Sequence, residues 1–112
     1  MINKNKKWML SREAEEKEVA PGLRRKILVY CDELMTVVNI FEANATVDLH
    51  SHPNAQVAYI LDGKFKFTIG DEEKIVEKGD SLLVQSDIKH SCVCLEKGSL
   101  IETFTPMREE LL

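Results

Sequence analysis

The stretch Lys64-Phe65-Lys66-Phe67-Thr68-Ile69 alternates polar and apolar side chains along its length. Because successive side chains of a β-strand point to opposite faces, the two phenylalanines and the isoleucine would face a core while the lysines and the threonine face water. Further runs of strand-like composition follow one another from Lys26 onward, punctuated by turn residues. No helix-length segment separates these runs, which favours an all-β sandwich or small barrel over alternating β-α units.

Short runs along most of the chain fit this strand pattern. They are Lys26–Cys31, Leu34–Glu42, Thr46–His50, Gln56–Leu61, Lys64–Ile69, Lys74–Glu77, Ser81–Gln85, Ser91–Leu95 and Ser99–Thr105. Gly63, Gly70, Gly79 and Gly98 predict turns between several of them. The stretch Ser11–Glu18 is helix-like in composition but lacks an apolar stripe, so we interpret it as a charged lead-in.

The composition is that of one globular domain. The chain has 112 residues, of which 15 are basic and 19 acidic, giving a formal charge of −4. This length can bury one hydrophobic core, but it is far short of the roughly 250 residues of a TIM barrel. Because no basic excess is available to neutralise phosphates, nucleic acid is not an expected partner.

The sequence also predicts a cytoplasmic location and no membrane partner. No apolar run approaches the roughly 18 residues of a membrane helix, and the basic N-terminus is not followed by a secretory apolar segment. The cysteines Cys31, Cys92 and Cys94 are odd in number, so we expect reduced thiols in a reducing compartment. Cys92 and Cys94 fit small apolar residues better than metal-binding thiolates.

All three histidines fall in two short segments. The segment His50-Ser51-His52-Pro53-Asn54-Ala55-Gln56 holds two of them, and His90 follows Gly79-Asp80. Two histidines at spacing i, i+2 leave a strand end on the same face, which suits a shared metal ion, and Gln56 can add an amide oxygen. The alternative is a set of solvated side chains at a loop edge.

This arrangement, with Gly63 after the first segment, resembles the two motifs of the cupin superfamily. The resemblance covers the region from Lys26 to Thr105. It implies a single-domain all-β fold, a small double-stranded β-helix or jelly-roll barrel over residues 24–112, with residues 1–23 as an N-terminal extension. It also implies that a divalent transition metal (nickel, zinc, iron, manganese or cobalt) is held by His50, His52, Gln56 and His90. Because all four ligands are neutral, such an ion would act as a strong Lewis acid.

The two ends of the chain are similar to the flanks of KdgF-type cupins of pectin and alginate breakdown. The matching stretches are Gly22–Leu28 and Glu102–Leu111. That family opens unsaturated uronate monomers to linear keto sugar acids. The resemblance implies a sugar-acid substrate and catalytic roles for Glu102, Phe104 and Arg108, with Glu102 standing where the family has Asp.

The residues themselves allow two interpretations of this end of the chain. Glu102 and Phe104 share one face of the last predicted strand, which is either the barrel interior or an outer surface. Arg108, and Arg24 or Arg25, suit a substrate carboxylate because a guanidinium forms paired hydrogen bonds with it. The alternative for each arginine is an ion pair with nearby glutamates.

Three functions therefore stay open, and one assembly is expected. The first is a metal-assisted lyase or isomerase acting on an unsaturated uronate. The others are a metal-dependent dioxygenase and a non-catalytic small-molecule-binding module. We also expect a homodimer, because the apolar residues Trp8, Met9 and Leu10 precede the barrel and need a surface to cover.

Overall fold

The computed structural model describes residues 3–112, which form eight β-strands and two short 3-10 helices. The strands are β1 (Glu16–Ala20), β2 (Leu23–Cys31), β3 (Leu34–Phe41), β4 (Thr46–His50), β5 (Ala55–Ile69), β6 (Glu72–Glu77), β7 (Ser81–Val84) and β8 (His90–Thr105). The 3-10 helices cover Ser11–Glu13 and Glu109–Leu111. The strand pairs are antiparallel, in the order β1-β2-β3-β8-β5-β6, with β4 beside β8 and β7 beside β5. The predicted all-β barrel is confirmed.

The two long strands β5 and β8 pair along most of their length and join the two walls of the barrel. One half of β8 pairs with β3, and the other half pairs with β4. In the same way, β5 pairs with β7 through one half and with β6 through the other. The end of β8 that carries His90 and the end that carries Glu102 therefore belong to different walls that enclose one interior.

Gly63 and Gly98 lie inside β5 and β8, so the prediction that they separate strands was wrong. The ladder between β5 and β8 shifts register around Gly63, and the two backbones nearly touch there. A Cβ on Gly98 would lie 2.2 Å from the carbonyl oxygen of Asp62, and one on Gly63 would lie 2.6 Å from Cα of Gly98. These glycines allow the close backbone contact at which the long strands bend.

The charged lead-in contains a strand that the sequence interpretation missed. Residues Glu16–Ala20 form β1 at the edge of the sheet, and Glu16 and Glu18 lie opposite Lys26 and Arg24 of β2. The strand has almost no buried surface, so it shows no apolar alternation. Cross-strand charge pairs hold it instead, including the ion pair between Arg24 and Glu16.

The alternation in residues 64–69 is confirmed at its centre, because Phe65 and Phe67 are buried. They belong to the main core, which contains Leu23, Phe41, Ala45, Ala58, Ile60, Phe65, Phe67, Cys92, Cys94 and Leu100. A second cluster consists of Tyr30, Met35, Val37 and Phe104. Met107 and Leu111 pack against this second cluster, which holds the C-terminal segment against one end of the barrel. Among residues 3–112, no helix combines the length and apolar character needed to cross a bilayer.

Candidate metal centre and active-site cavity

The three histidines meet at one end of the barrel. His50 ends β4 and lies opposite His90, the first residue of β8, while His52 follows in the loop before β5. Ring centroids are 4.1 Å apart for His50 and His90, 4.9 Å for His52 and His90, and 5.6 Å for His50 and His52. One nitrogen from each ring lies within 4.8 Å of the others, a spacing that suits a shared metal ion.

Backbone carbonyls determine which ring nitrogen of each histidine carries the proton. Nδ1 of His50 lies 2.8 Å from the carbonyl oxygen of Asp48, and Nδ1 of His52 lies 2.9 Å from that of Asn54. Nδ1 of His90 likewise lies 2.9 Å from the Ile88 carbonyl. A carbonyl can only accept, so each Nδ1 donates and each Nε2 keeps a free lone pair. This is the arrangement that metal-binding histidines adopt.

Burial favours the neutral form of two of these rings. It lowers the pKa of His90 to about 4, and it lowers the pKa of His52 as well. The positive charge of Arg108 adds to the second effect. A neutral imidazole is the form that binds a metal, so the site is ready to bind one at neutral pH.

Gln56 lies at the start of β5 and is 3% exposed. Its Nε2 donates to Oε1 of Glu102 across 3.4 Å. Within residues 3–112, no hydrogen-bond partner reaches its Oε1 or the Nε2 atoms of His52 and His90, although all three atoms are buried. Buried acceptors are normally satisfied, so these orphaned lone pairs fit a bound cation. The donor set of imidazole nitrogens and an amide oxygen suits a divalent transition metal.

Glu102 enters the same interior from the other end of β8. Its Oε2 accepts a 2.9 Å hydrogen bond from Nδ2 of Asn39, whose Oδ1 accepts a 2.7 Å hydrogen bond from Nε of Arg25. Desolvation raises the pKa of Glu102, while Arg25, Arg108 and the Asn39 hydrogen bond oppose that rise. A carboxyl group whose pKa is subject to such opposing effects is suited to exchanging a proton.

Phe104 and Arg108 are stacked beside the histidines. The guanidinium carbon of Arg108 lies 5.1 Å from the centroid of the Phe104 ring, and that ring meets His52 edge-on at 5.9 Å. Phe104 is 1% exposed, so it supports both neighbours from the core side. Arg108 also lies 3.7 Å from a carboxylate oxygen of Glu110, which accords with the ion pair considered as the alternative.

The two candidate arginines of β2 point in different directions. Arg24 lies outside and forms ion pairs with Glu16 and Glu42, as its alternative interpretation predicts. Arg25 faces the interior, where Asn39 accepts its hydrogen bond. Burial lowers the pKa of Arg25, and the nearby charge of Glu102 opposes that change.

A cavity of about 230 Å³ lies between the His50–His90 end and the Glu102 end of the barrel interior. Its lining consists of Arg25, Asn39, Phe41, Val47, Asp48, His50, Gln56, Phe67, His90, Ser91, Cys92, Glu102, Arg108 and Leu111. The histidine end and the Glu102 end thus open onto one space. Burial raises the pKa of the Cys92 thiol to about 12, so Cys92 is a neutral wall of the cavity, as its apolar interpretation predicts.

Two polar residues of this region were missed in the sequence. Asn39 is 3% exposed and lies on the inner face of β3, between the buried Val37 and Phe41. Its position was visible in the alternation of that strand, as one polar residue on an apolar face. Asn54 is also buried, and its side chain donates to the carbonyl of Pro106, which links the His52 loop to the C-terminal segment. Only the fold shows that contact.

Comparison with known proteins agrees with this geometry. The Cupin domain family matches residues 37–102, which include His50, Gln56 and His90. The chain belongs to the cupin family. This cupin is 34% identical to the pectin degradation protein KdgF of Dickeya dadantii (strain 3937) over 109 residues, which cover 96% of this chain and 99% of that protein.

Two solved cupin structures are similar over nearly their whole length. An RmlC-like cupin from Shewanella frigidimarina NCIMB 400 superposes with a TM-score of 0.93 at 31% identity, covering 96% of this cupin and 97% of that chain. KdgF from Halomonas sp. superposes with a TM-score of 0.88 at 30% identity, covering 94% and 97%. The predicted resemblance to KdgF-type cupins is therefore confirmed.

Proposed function

We propose that this cupin is a metal-dependent enzyme that opens the ring of an unsaturated uronate monomer to give a linear keto sugar acid. The observation that carries the proposal is the cavity, in which orphaned metal-ligand atoms, a desolvated carboxyl group and a guanidinium face the same space. The similarity to two KdgF proteins, one of them described as a pectin degradation protein, supports the choice of substrate.

In this proposal, His50, His52, Gln56 and His90 hold a divalent transition metal. The Nε2 atoms of His52 and His90 and the Oε1 atom of Gln56 are buried without a hydrogen-bond partner among residues 3–112. One nitrogen from each of the three histidines lies within 4.8 Å of the others. When bound, the metal would supply Lewis-acid polarisation of substrate oxygens. Because the imidazoles and the amide are neutral, these ligands would leave the charge of the ion uncompensated.

Arg108 is proposed to bind the substrate carboxylate. Its guanidinium provides donors in one plane, and the Phe104 ring restricts that plane by stacking against it. Fixing the carboxylate also restricts the sugar ring that bears it, inside the cavity that Glu102 lines as well. Phe104 therefore acts by orienting Arg108.

Glu102 is proposed to move the protons. As a carboxylate it takes the proton of the anomeric hydroxyl while the bond between C1 and the ring oxygen breaks, which yields an aldehyde at C1 and an enolate whose oxygen is on C5. As a carboxylic acid it then returns that same proton to C4, and the enolate oxygen becomes the ketone at C5. The atoms balance as an isomerisation, and one group with two accessible protonation states serves both steps.

The test uses the monomer released when a lyase digests pectin or alginate to completion. The conjugated alkene of this monomer absorbs in the ultraviolet, and ring opening removes the conjugation. Enzyme loaded with each candidate metal is expected to accelerate the loss of absorbance above the spontaneous rate. His52→Ala protein prepared in parallel is the control for contaminating activity, and mass spectrometry checks that the product has the mass of the substrate.

The same assay separates this function from the alternatives. Oxygen consumption with unchanged absorbance of the uronate would favour a dioxygenase. Saturable uronate binding without any turnover would favour a binding module. Either outcome with every metal loaded would overturn the proposed ring opening.

We also propose that residues 1–23, which include the edge strand β1 of the sheet, contribute contacts to a homodimer. Trp8 is 73% exposed and Leu10 is 45% exposed, and such side chains are more stable against a partner surface. Light scattering at micromolar concentration is expected to give twice the 12.8 kDa chain mass, and Trp8→Ala should weaken the association. A monomer mass for the wild type would contradict the proposal.

A further inference from the structure

A chain of hydrogen bonds crosses the barrel from Arg25 to the proposed metal ligand Gln56. Arg25 Nε donates to Oδ1 of Asn39 across 2.7 Å, and Asn39 Nδ2 donates to Oε2 of Glu102 across 2.9 Å. On the other side of the carboxyl group, Gln56 Nε2 donates to Oε1 of Glu102 across 3.4 Å. The four residues of this hydrogen-bond chain come from β2, β3, β8 and β5, so the hydrogen-bond chain exists only in the folded barrel.

Each amide in this chain has a direction that its neighbours impose. A guanidinium can only donate, so the side of Asn39 that faces Arg25 must be its oxygen. The amide nitrogen of Asn39 then has to face Glu102. The side of Gln56 that faces Glu102 is its nitrogen, which donates to Oε1 of that carboxyl group. The remaining atom of Gln56, its oxygen, is thereby turned away from Glu102.

That oxygen is the atom a metal needs. Gln56 Oε1 is buried and, among the residues that the structure describes, has no hydrogen-bond partner, like the Nε2 atoms of His52 and His90. If the amide of Gln56 were reversed, an NH₂ group without a lone pair for bonding would face the histidines instead. A glutamine ligand carries this risk, whereas a carboxylate presents an oxygen in both orientations.

We propose that Arg25 and Asn39 are positioning residues which, through Glu102, hold Gln56 with its oxygen toward the metal site. The proposal rests on the proposed metal centre. It gives Glu102 a second task besides proton transfer, and it gives the buried Asn39 a reason to interrupt an otherwise apolar strand face. It concerns metal binding alone, so it can be tested without substrate.

The experiment measures the affinity of metal-stripped protein for Co²⁺, by calorimetry and by the visible absorption of the bound ion. Partners that orient metal ligands typically contribute about 10- to 100-fold to metal affinity, so Arg25→Leu and Asn39→Leu should each weaken Co²⁺ binding by that factor and alter the absorption spectrum. Arg24→Leu is the matched control, because Arg24 neighbours Arg25 but forms its ion pairs outside the barrel. It should bind Co²⁺ like the wild type.

A second variant distinguishes orientation from a general loss of structure. In a Gln56→Glu background the ligand has an oxygen on both sides, so Asn39→Leu should lose most of its effect on Co²⁺ affinity. Circular dichroism and thermal unfolding identify any variant that does not fold, and Asn39→Ala, which removes the amide donor without adding a charge, replaces Asn39→Leu in that case.

The outcomes separate this inference from the metal centre on which it rests. Wild-type protein that binds no Co²⁺ would overturn the metal centre. If the wild type binds Co²⁺ and folded Arg25→Leu and Asn39→Leu proteins bind it with the same affinity and spectrum, the positioning role alone is overturned. An effect of Asn39→Leu that is equally large in the Gln56→Glu background would also overturn it.

Discussion

His50 and His90 lie opposite each other on β4 and β8, with their ring centroids 4.1 Å apart. The same two strands form one wall of the barrel, so the pairing that builds the sheet also sets the distance between the two imidazoles. The candidate metal centre is therefore part of the antiparallel ladder and does not depend on a loop for these two histidines. Only His52 reaches it from the loop.

The first prediction concerns metal content. Purified protein, dialysed against a divalent transition metal, should retain about one ion per chain if the four proposed ligands bind it together. His50→Ala combined with His52→Ala should abolish retention, as measured by elemental analysis. Leu49→Ala is the control, because this neighbouring side chain is 60% exposed and should not affect retention. Equal metal content in the double variant and the wild type would refute the ligand assignment.

The second prediction concerns proton transfer by Glu102. Glu102→Gln removes the group that gains and loses the proton, so turnover of the uronate should fall by about 10²- to 10⁴-fold. The assay is run at saturating metal, so that a change in metal affinity does not contribute.

Glu102→Asp is the informative companion variant, because it keeps the acid but retracts it by one methylene. If the wild type were inactive and Glu102→Asp active, the pocket would be correct and the protein would act on another substrate. If the Glu102→Gln variant turned over the uronate at the wild-type rate at saturating metal, Glu102 would be excluded as the proton-transfer group.

The third prediction concerns substrate binding by Arg108. A charge-assisted hydrogen bond contributes about 1.5–3 kcal/mol, which corresponds to roughly 10- to 100-fold in affinity. Arg108→Ala should therefore raise KM by that factor with a smaller effect on kcat, because the carboxylate is bound in the ground state and the transition state alike. Glu110→Gln removes only the ion-pair partner and should leave KM nearly unchanged. A loss confined to kcat would assign Arg108 a different role.

The fourth prediction concerns the close contact between β5 and β8. Gly98→Ala would place a Cβ 2.2 Å from the Asp62 carbonyl oxygen, and neither backbone can move aside without breaking the ladder. We expect a loss of more than about 3 kcal/mol in the free energy of unfolding. Gly79→Ala is the control, because its φ of +90° is strained but its Cβ meets open space, so about 1–2 kcal/mol is expected. Chemical denaturation measures both, and equal losses would contradict the steric argument.

The fifth prediction concerns acid stability of the metal-free protein. Burial lowers the pKa of His90 to about 4, below its ordinary value near 6.5, so the unfolded chain binds this proton more tightly. The stabilisation from His90 is thus present above pH 6.5 and is lost as the pH falls towards about 4. The raised pKa of Glu102 acts in the opposite direction, so the wild type must be compared with His90→Gln. The variant should show a smaller drop in Tm between pH 6.5 and 5, and identical slopes would refute the prediction.

Much of the fold and of the site could be inferred from local sequence patterns. Alternation in residues 64–69 identified a strand with one buried face, because side-chain direction in a strand depends only on parity. The same rule placed Glu102 and Phe104 on one face of β8 and predicted that His50 and His52 leave the end of β4 together. These properties depend on neighbours in the sequence, so the sequence alone determined them.

The tertiary structure decided what depends on distant partners. Gly63 and Gly98 look like turn residues, yet they lie within long strands because two backbones meet there. Arg24 and Arg25 are successive strand residues, so parity places them on opposite faces, and the pairing of β2 with β1 and β3 decides that Arg25 is the one beside Asn39. The raised pKa of Glu102 also required the fold, because desolvation is a property of the surroundings that the closed barrel creates.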